Sequence, residues 1–181
     1  AKELLIKNQS DTGENVITIV AGMTSSKPQV VMVTQDQTWS LAGIPNAYVQ
    51  CEKSSKGYMA YVKGCTLTLQ DIVIDGSCFF NTVNTYAPIR VEFNDSEDNP
   101  NLSVLEMRSG TVIQNTPEEG VYTYGGNVNM YDGAKITGAQ KDCAIYVTGG
   151  VVTAGDRSAT LNIYGGEIVD NQSRCIQVSG D

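Results

Sequence analysis

The feature that most constrains this chain is a phrase it repeats. LNIYGGEIVDN at 161–171 reads almost as LEMRSGTVIQN at 105–115, 56 residues earlier. Leu105 answers to Leu161, Met107 to Ile163, Gly110 to Gly166, Val112 and Ile113 to Ile168 and Val169, and Asn115 to Asn171. VNMYDGAKITG at 128–138 is a third copy, through Val128, Met130, Ile136 and Gly138. LTLQDIVIDG at 67–76 is a fourth, with one residue deleted. The copies end on Gly76, Asn115, Gly138 and Asn171, residue types that tolerate positive φ at a sharp bend. A second phrase precedes them: AYVKG (60–64), PIRVEFN (88–94), GVYTYGG (120–126), AIYVTGG (144–150) and CIQVSGD (175–181). With Ala60, Ile89, Val121, Ile145 and Ile176 equivalent, the steps are 29, 32, 24 and 31 residues.

Repeats of this length, each made of two or three short strands, are the mark of a solenoid. Apolar residues alternate with polar ones, Leu161 and Ile163 inward against Asn162 and Tyr164 outward. That period of two excludes the helical repeats. Leucine-rich repeats are disfavoured, because the chain lacks a leucine ladder and a helical half-repeat. The expected fold is all-β, a parallel β-helix of about five coils stacked at about 4.8 Å.

These phrases, L.(M/I) leading to GG.(I/V)..N and alternating with I.V.GG, resemble the right-handed single-stranded β-helix of bacterial surface and adhesin-like proteins. That group shares the pectin-lyase-like fold and is similar to the GGAI-type repeats of polymorphic outer-membrane proteins. The resemblance spans residues 57–181 and implies a secreted or cell-surface location. It is specific for fold and poor for function, because one scaffold hosts many activities. Residues 1–56 fit the phrase less well. ENVITIVAG (14–22) and QVVMVTQ (29–35) read as strands, so this stretch is expected to form irregular first coils or a cap over the core within the same domain. At the other end, 175–181 supplies one strand of a further coil. That is expected of an excerpt from a longer protein, with continuation or an oligomer contact at the open coil.

Twelve basic against 20 acidic residues give a net charge of −8, which argues against nucleic acid and anionic membranes. No apolar run approaches the roughly 18 residues of a membrane helix. Five cysteines without a CxxC pair and no histidine disfavour zinc and leave at least one thiol unpaired or pairing between chains. Cys143 and Cys175 look equivalent, but matching Ile145 to Ile176 sets Cys175 against Ala144 instead.

Three features bear on function. From Val91 to Leu105 and from Val147 to Leu161 the chain spends 14 residues, against 5 from Val62 to Leu67 and from Thr123 to Val128. Two long loops, around 94–102 and 150–159, should therefore stand about 10 Å apart at one corner, room for a sugar ring or a peptide strand. The acidic loop with Asp95, Glu97 and Asp98 offers hard oxygen ligands for calcium, the one cofactor expected, although its spacing is not that of a helix-loop-helix site. A solvated loop is the plainer reading. The outward positions Tyr61, Arg90, Tyr122, Tyr146 and Gln177 should form one external column, flanked by Tyr124. Gln70, Arg108, Tyr131 and Tyr164 should form another. Exposed tyrosine rows can stack on sugar rings or anchor a protein, although β-propensity alone also places aromatics in rows.

No serine–histidine or cysteine–histidine pair and no phosphate-binding glycine loop is present. Polysaccharide hydrolases of the resembling fold use clustered aspartates with Gly-His-Gly. This chain has no histidine, and nothing in it pairs carboxylates at glycosidase spacing. The expected role is a non-catalytic extracellular module that binds glycan or a host or cell-surface protein. The alternatives are a lyase or hydrolase acting on acidic polysaccharide and a structural rod or tail-type protein.

Overall fold

The computed structural model describes residues 4–7, 15–19, 31–44, 47–51, 58–77, 87–94, 102–152 and 155–180. These residues are all-β, and most of their strands fall into three stacks. Sheet A orders β1 (Leu4–Lys7), β2 (Asn15–Ile19), β5 (Ala47–Cys51), β8 (Ile72–Asp75), β11 (Thr111–Gln114), β14 (Lys135–Thr137) and β19 (Glu167–Val169). Sheet B stacks β3 (Val31–Val33), β6 (Ala60–Lys63), β9 (Ile89–Glu92), β12 (Val121–Tyr124), β15 (Cys143–Thr148) and β20 (Arg174–Ser179). Sheet C stacks β4 (Gln37–Ser40), β7 (Thr66–Gln70), β10 (Val104–Met107), β13 (Asn127–Met130) and β18 (Thr160–Ile163).

From β2 onward the chain visits A, B and C in the same order on every pass, and every pairing within the three stacks is parallel. Parallel neighbours require a crossover, and here each crossover is the next two sheets. This is the arrangement of a β-solenoid, and β2 to β5, from within residues 1–56, belong to the same three sheets. Two pairs run antiparallel: β1 on β2 at the end of sheet A, and the hairpin β16 (Gly150–Val152) with β17 (Gly155–Arg157). The hairpin occupies the longer connection from β15 to β18.

The core consists of vertical files. In sheet C, Leu67, Leu105, Val128 and Leu161 are in register, as are Leu69, Met107, Met130 and Ile163. Sheet A contributes Val49, Ile74, Ile113, Ile136 and Ile168. Sheet B contributes Ala60, Ile89, Val121, Ile145 and Ile176, beside Val62, Val91, Thr123, Val147 and Val178. Nearly all of these are buried in the inner layers. At the last strands Ile163, Ile176 and Val178 are 48%, 36% and 75% exposed, because no described residue stacks above them. The hydroxyls within the files are satisfied at corners: Thr111 Oγ1 donates to the Leu69 carbonyl (2.8 Å) and Thr123 Oγ1 to that of Gly126 (2.8 Å).

The register corrects the repeat alignment by one residue at its end. Ile113 lies over Ile136 and then Ile168, not beside Val169. The left-handed bend residues are Asn115 (φ 53°), Gly138 (φ 73°) and Asp170 (φ 54°), so Asp170 and not Asn171 closes this corner. The C-to-A turn of the last copy is one residue shorter, and a gapless alignment hides that. Gly76 is needed for another reason: a Cβ there would lie 2.8 Å from Thr116 Cγ2.

Candidate functional site

The two external columns exist as read, on different sheets. On sheet B, Tyr61, Arg90, Tyr122, Tyr146 and Gln177 occupy one register row across five strands. Strand spacing near 4.8 Å brings successive side chains into contact. The Arg90 guanidinium sits 5.6 Å from the Tyr61 ring centroid and 5.0 Å from that of Tyr122. Tyr58, just ahead of β6, adds a third ring at 5.0 Å. Arg90 donates to the Tyr58 hydroxyl and, through Nε, to Glu92 at 2.6 Å. The guanidinium is thus held by three rings and a carboxylate. Burial and neighbouring Glu92 both raise the Tyr61 phenol above its ordinary pKa, so it stays neutral. Above Arg90, the Tyr122 and Tyr146 rings are stacked, with centroids 5.3 Å apart and planes 7° from parallel.

Tyr124 does not join this column. Its ring packs on buried Phe93 at 5.3 Å, so it seals the corner where the connection from β9 to β10 leaves. Ser103 closes the return end of that connection: its Oγ accepts from the Gly64 N–H (2.8 Å) and donates to the Glu92 carbonyl. The two ends of this connection are therefore tied to each other at its base. Asp95, Glu97 and Asp98, the proposed calcium ligands, lie outside the described residues, as do the tips of both long loops. Among the described residues no group of three or more His, Cys, Asp or Glu side chains is placed to hold a metal ion.

On sheet C, Gln70 ends β7, and the residues just after β10, β13 and β18 continue the second column. Arg108 lies 4.2 Å over the Tyr131 ring, and Tyr131 stacks on Tyr164 at 5.1 Å. Backbone bonds hold the spacing, with Tyr131 N–H to the Met107 carbonyl (3.0 Å) and Tyr164 N–H to that of Met130 (2.8 Å). Arg108 also bonds Glu106 through Nε (3.0 Å). Tyr164 is 66% exposed.

Sequence reasoning missed the partners that complete these columns: Tyr58, Phe93, Glu92 and Glu106. Glu92 and Glu106 sit two residues from an arginine on the same strand face, a signal that the strand period could have supplied. Tyr58 precedes its strand and carries no such signal. Of the cysteines, Cys65 and Cys143 are buried and Cys175 is exposed, all three as free thiols. Burial, then Asp142 and Glu119, push the Cys143 thiol up to about 12. No protein-family model, curated protein or solved structure matches this chain.

Proposed function

We propose that the chain is a right-handed parallel β-helix of the pectin-lyase-like type, with about five coils, and that it serves as a non-catalytic extracellular module of a bacterial surface or secreted protein. Its task is to bind glycan or a partner protein through its outward aromatic rows. One observation carries this reading: tyrosines stand in register on the outer faces of two sheets, at the rise of the stack, with Tyr122 on Tyr146 and Tyr131 on Tyr164. Rings held this way present large amphipathic area without losing side-chain freedom on binding. The resemblance of the L.(M/I) and I.V.GG phrases to surface proteins supports the location.

The test is a glycan array probed with the wild-type chain and with a quadruple variant, Tyr122→Ala, Tyr146→Ala, Tyr131→Ala and Tyr164→Ala. The proposal expects the wild type to bind and the folded variant to lose binding. Binding that survives all four substitutions rejects the tyrosine rows as the contact surface.

A further inference from the structure

On the outer face of sheet B, Tyr122 of β12 and Tyr146 of β15 stand opposite each other on neighbouring parallel strands. Their ring centroids are 5.3 Å apart and their planes 7° from parallel. Parallel rings at that distance are offset, so that the edge of one lies over the carbons of the other. Strand spacing of about 4.8 Å holds the two backbones at this separation. The other tyrosines of the face are kept from such contact. Arg90 stands between Tyr61 and Tyr122, 5.6 and 5.0 Å from their ring centroids. Tyr58 and Tyr61 are 6.1 Å apart and tilted by 43°, and the Tyr58 hydroxyl is bonded to Arg90. Tyr124 lies against Phe93, which has no phenol.

From this juxtaposition we infer that Tyr122 and Tyr146 form a site of oxidative modification, at which a haem-peroxidase-type one-electron oxidant, supplied with hydrogen peroxide, joins the two rings by a carbon–carbon bond. Each phenol gives up one electron and its hydroxyl proton. Two neutral radicals result, and their unpaired spin reaches the ring carbons next to the oxygen-bearing one. Two such carbons bond. The hydrogens on those carbons then move to the oxygens, which restores both phenols in a dityrosine. Hydrogen peroxide takes up the two electrons and two protons and leaves as two waters. The new bond ties β12 to β15, and its formation does not depend on what the surface binds.

The stack favours this pair over every other encounter. A radical on either ring finds its partner already in contact, and reactants held in this way behave as though highly concentrated. Radicals on separate chains must first meet. Both side chains are half-buried on the outer face, so the ring edges can turn towards each other without disturbing the core. Arg90 does not oppose the step, because losing a proton with the electron leaves Tyr122 uncharged beside the guanidinium. Burial raises the Tyr122 phenol above its ordinary pKa, so the proton is there to leave.

The experiment treats the folded full chain, at micromolar concentration, with a haem peroxidase and hydrogen peroxide. Every protein used carries Tyr164→Phe, so that Tyr131 and Tyr164, the other stacked pair, cannot couple. Dityrosine fluorescence and mass spectrometry of the digested chain report the product. This protein is compared with versions carrying in addition Tyr146→Phe or Tyr122→Phe, which keep the ring and remove one phenol, or Tyr48→Phe on β5 of sheet A. The expected product is an intrachain link between the peptides that carry Tyr122 and Tyr146, lighter than their sum by two hydrogens. It should be lost with Tyr146→Phe and with Tyr122→Phe and retained with Tyr48→Phe. Links between chains alone, a main intrachain product at another pair of tyrosines, or a yield that survives Tyr146→Phe or Tyr122→Phe overturns the site. So does the absence of dityrosine from the treated chain.

Discussion

Asp75 shows how single residues hold the corners of this stack. It is buried at the end of β8 and accepts from Gln114 Nε2 (2.9 Å), Asn115 Nδ2 (2.8 Å) and the Ser77 N–H (2.9 Å). Two successive passes of sheet A are thereby tied at one bend. Burial alone would raise this carboxyl, but the bonds from Ser77, Gln114 and Asn115 outweigh it and hold the group below the usual range. A depressed folded pKa stabilises the fold above the unfolded value, about 3.9, and that contribution disappears as pH falls through the folded value. Asp75→Asn should cost about 1–3 kcal/mol at neutral pH, because an amide cannot accept all three bonds. It should also flatten the acid limb of stability. Denaturant unfolding at pH 7 and at stepwise lower pH checks this: a variant whose stability matches wild type at pH 7 and falls as steeply in acid contradicts it. The sequence marked Gly76 and Asn115 as a bend and Asp75 as a structural residue beside it, but not the partners that Asp75 clasps. A carboxylate next to a bend is usually solvated, and nothing local says that the residue 39 positions on will reach back to it.

Among elements, sheet B shows what a row of side chains adds to a parallel ladder. Arg90 on β9 touches Tyr61 on β6 and Tyr122 on β12, so one cation links three strands that are distant in sequence. In a double-mutant cycle, Arg90→Ala and Tyr122→Ala should be non-additive, with a coupling of about 0.5–2 kcal/mol. Arg108→Ala with Tyr122→Ala, on separate sheets, should be additive; coupling in that pair, or none in the first, would contradict the assignment of columns. The columns were legible because strand period and repeat alignment together fix which residues share a row. What was not legible has physical causes. In the last copy Ile168 and Val169 are both aliphatic, so hydrophobicity alone cannot say which one faces the core. The turn after Ile163 dropped a residue without leaving a mark. Strands β3 to β5 join the sheets without the Leu-x-Met phrase, since Thr38 and Trp39 on β4 lie over Thr68 and Leu69. Parallel pairing needs backbone and register but no particular motif.

For the whole molecule, the outward rows, the stacked rings and the closed loop base all depend on strands far apart in sequence lying in parallel register. Equivalent residues of a repeat become vertical neighbours, so a motif written every few tens of residues becomes a continuous surface. The repeated phrases made that winding readable. They could not say what the surface meets, because side-chain rows that stabilise a sheet and rows that bind a ligand use the same residues. The most direct test of the winding is the scalar coupling transmitted through backbone hydrogen bonds, measured by NMR on the isotope-labelled chain. Couplings should connect Arg108 N–H to the Leu69 carbonyl, Tyr131 N–H to that of Met107 and Tyr164 N–H to that of Met130, bonds of 2.9, 3.0 and 2.8 Å. Couplings that instead join these amides to carbonyls of sequence-adjacent strands, in antiparallel hairpins, would show that the chain does not stack in this way.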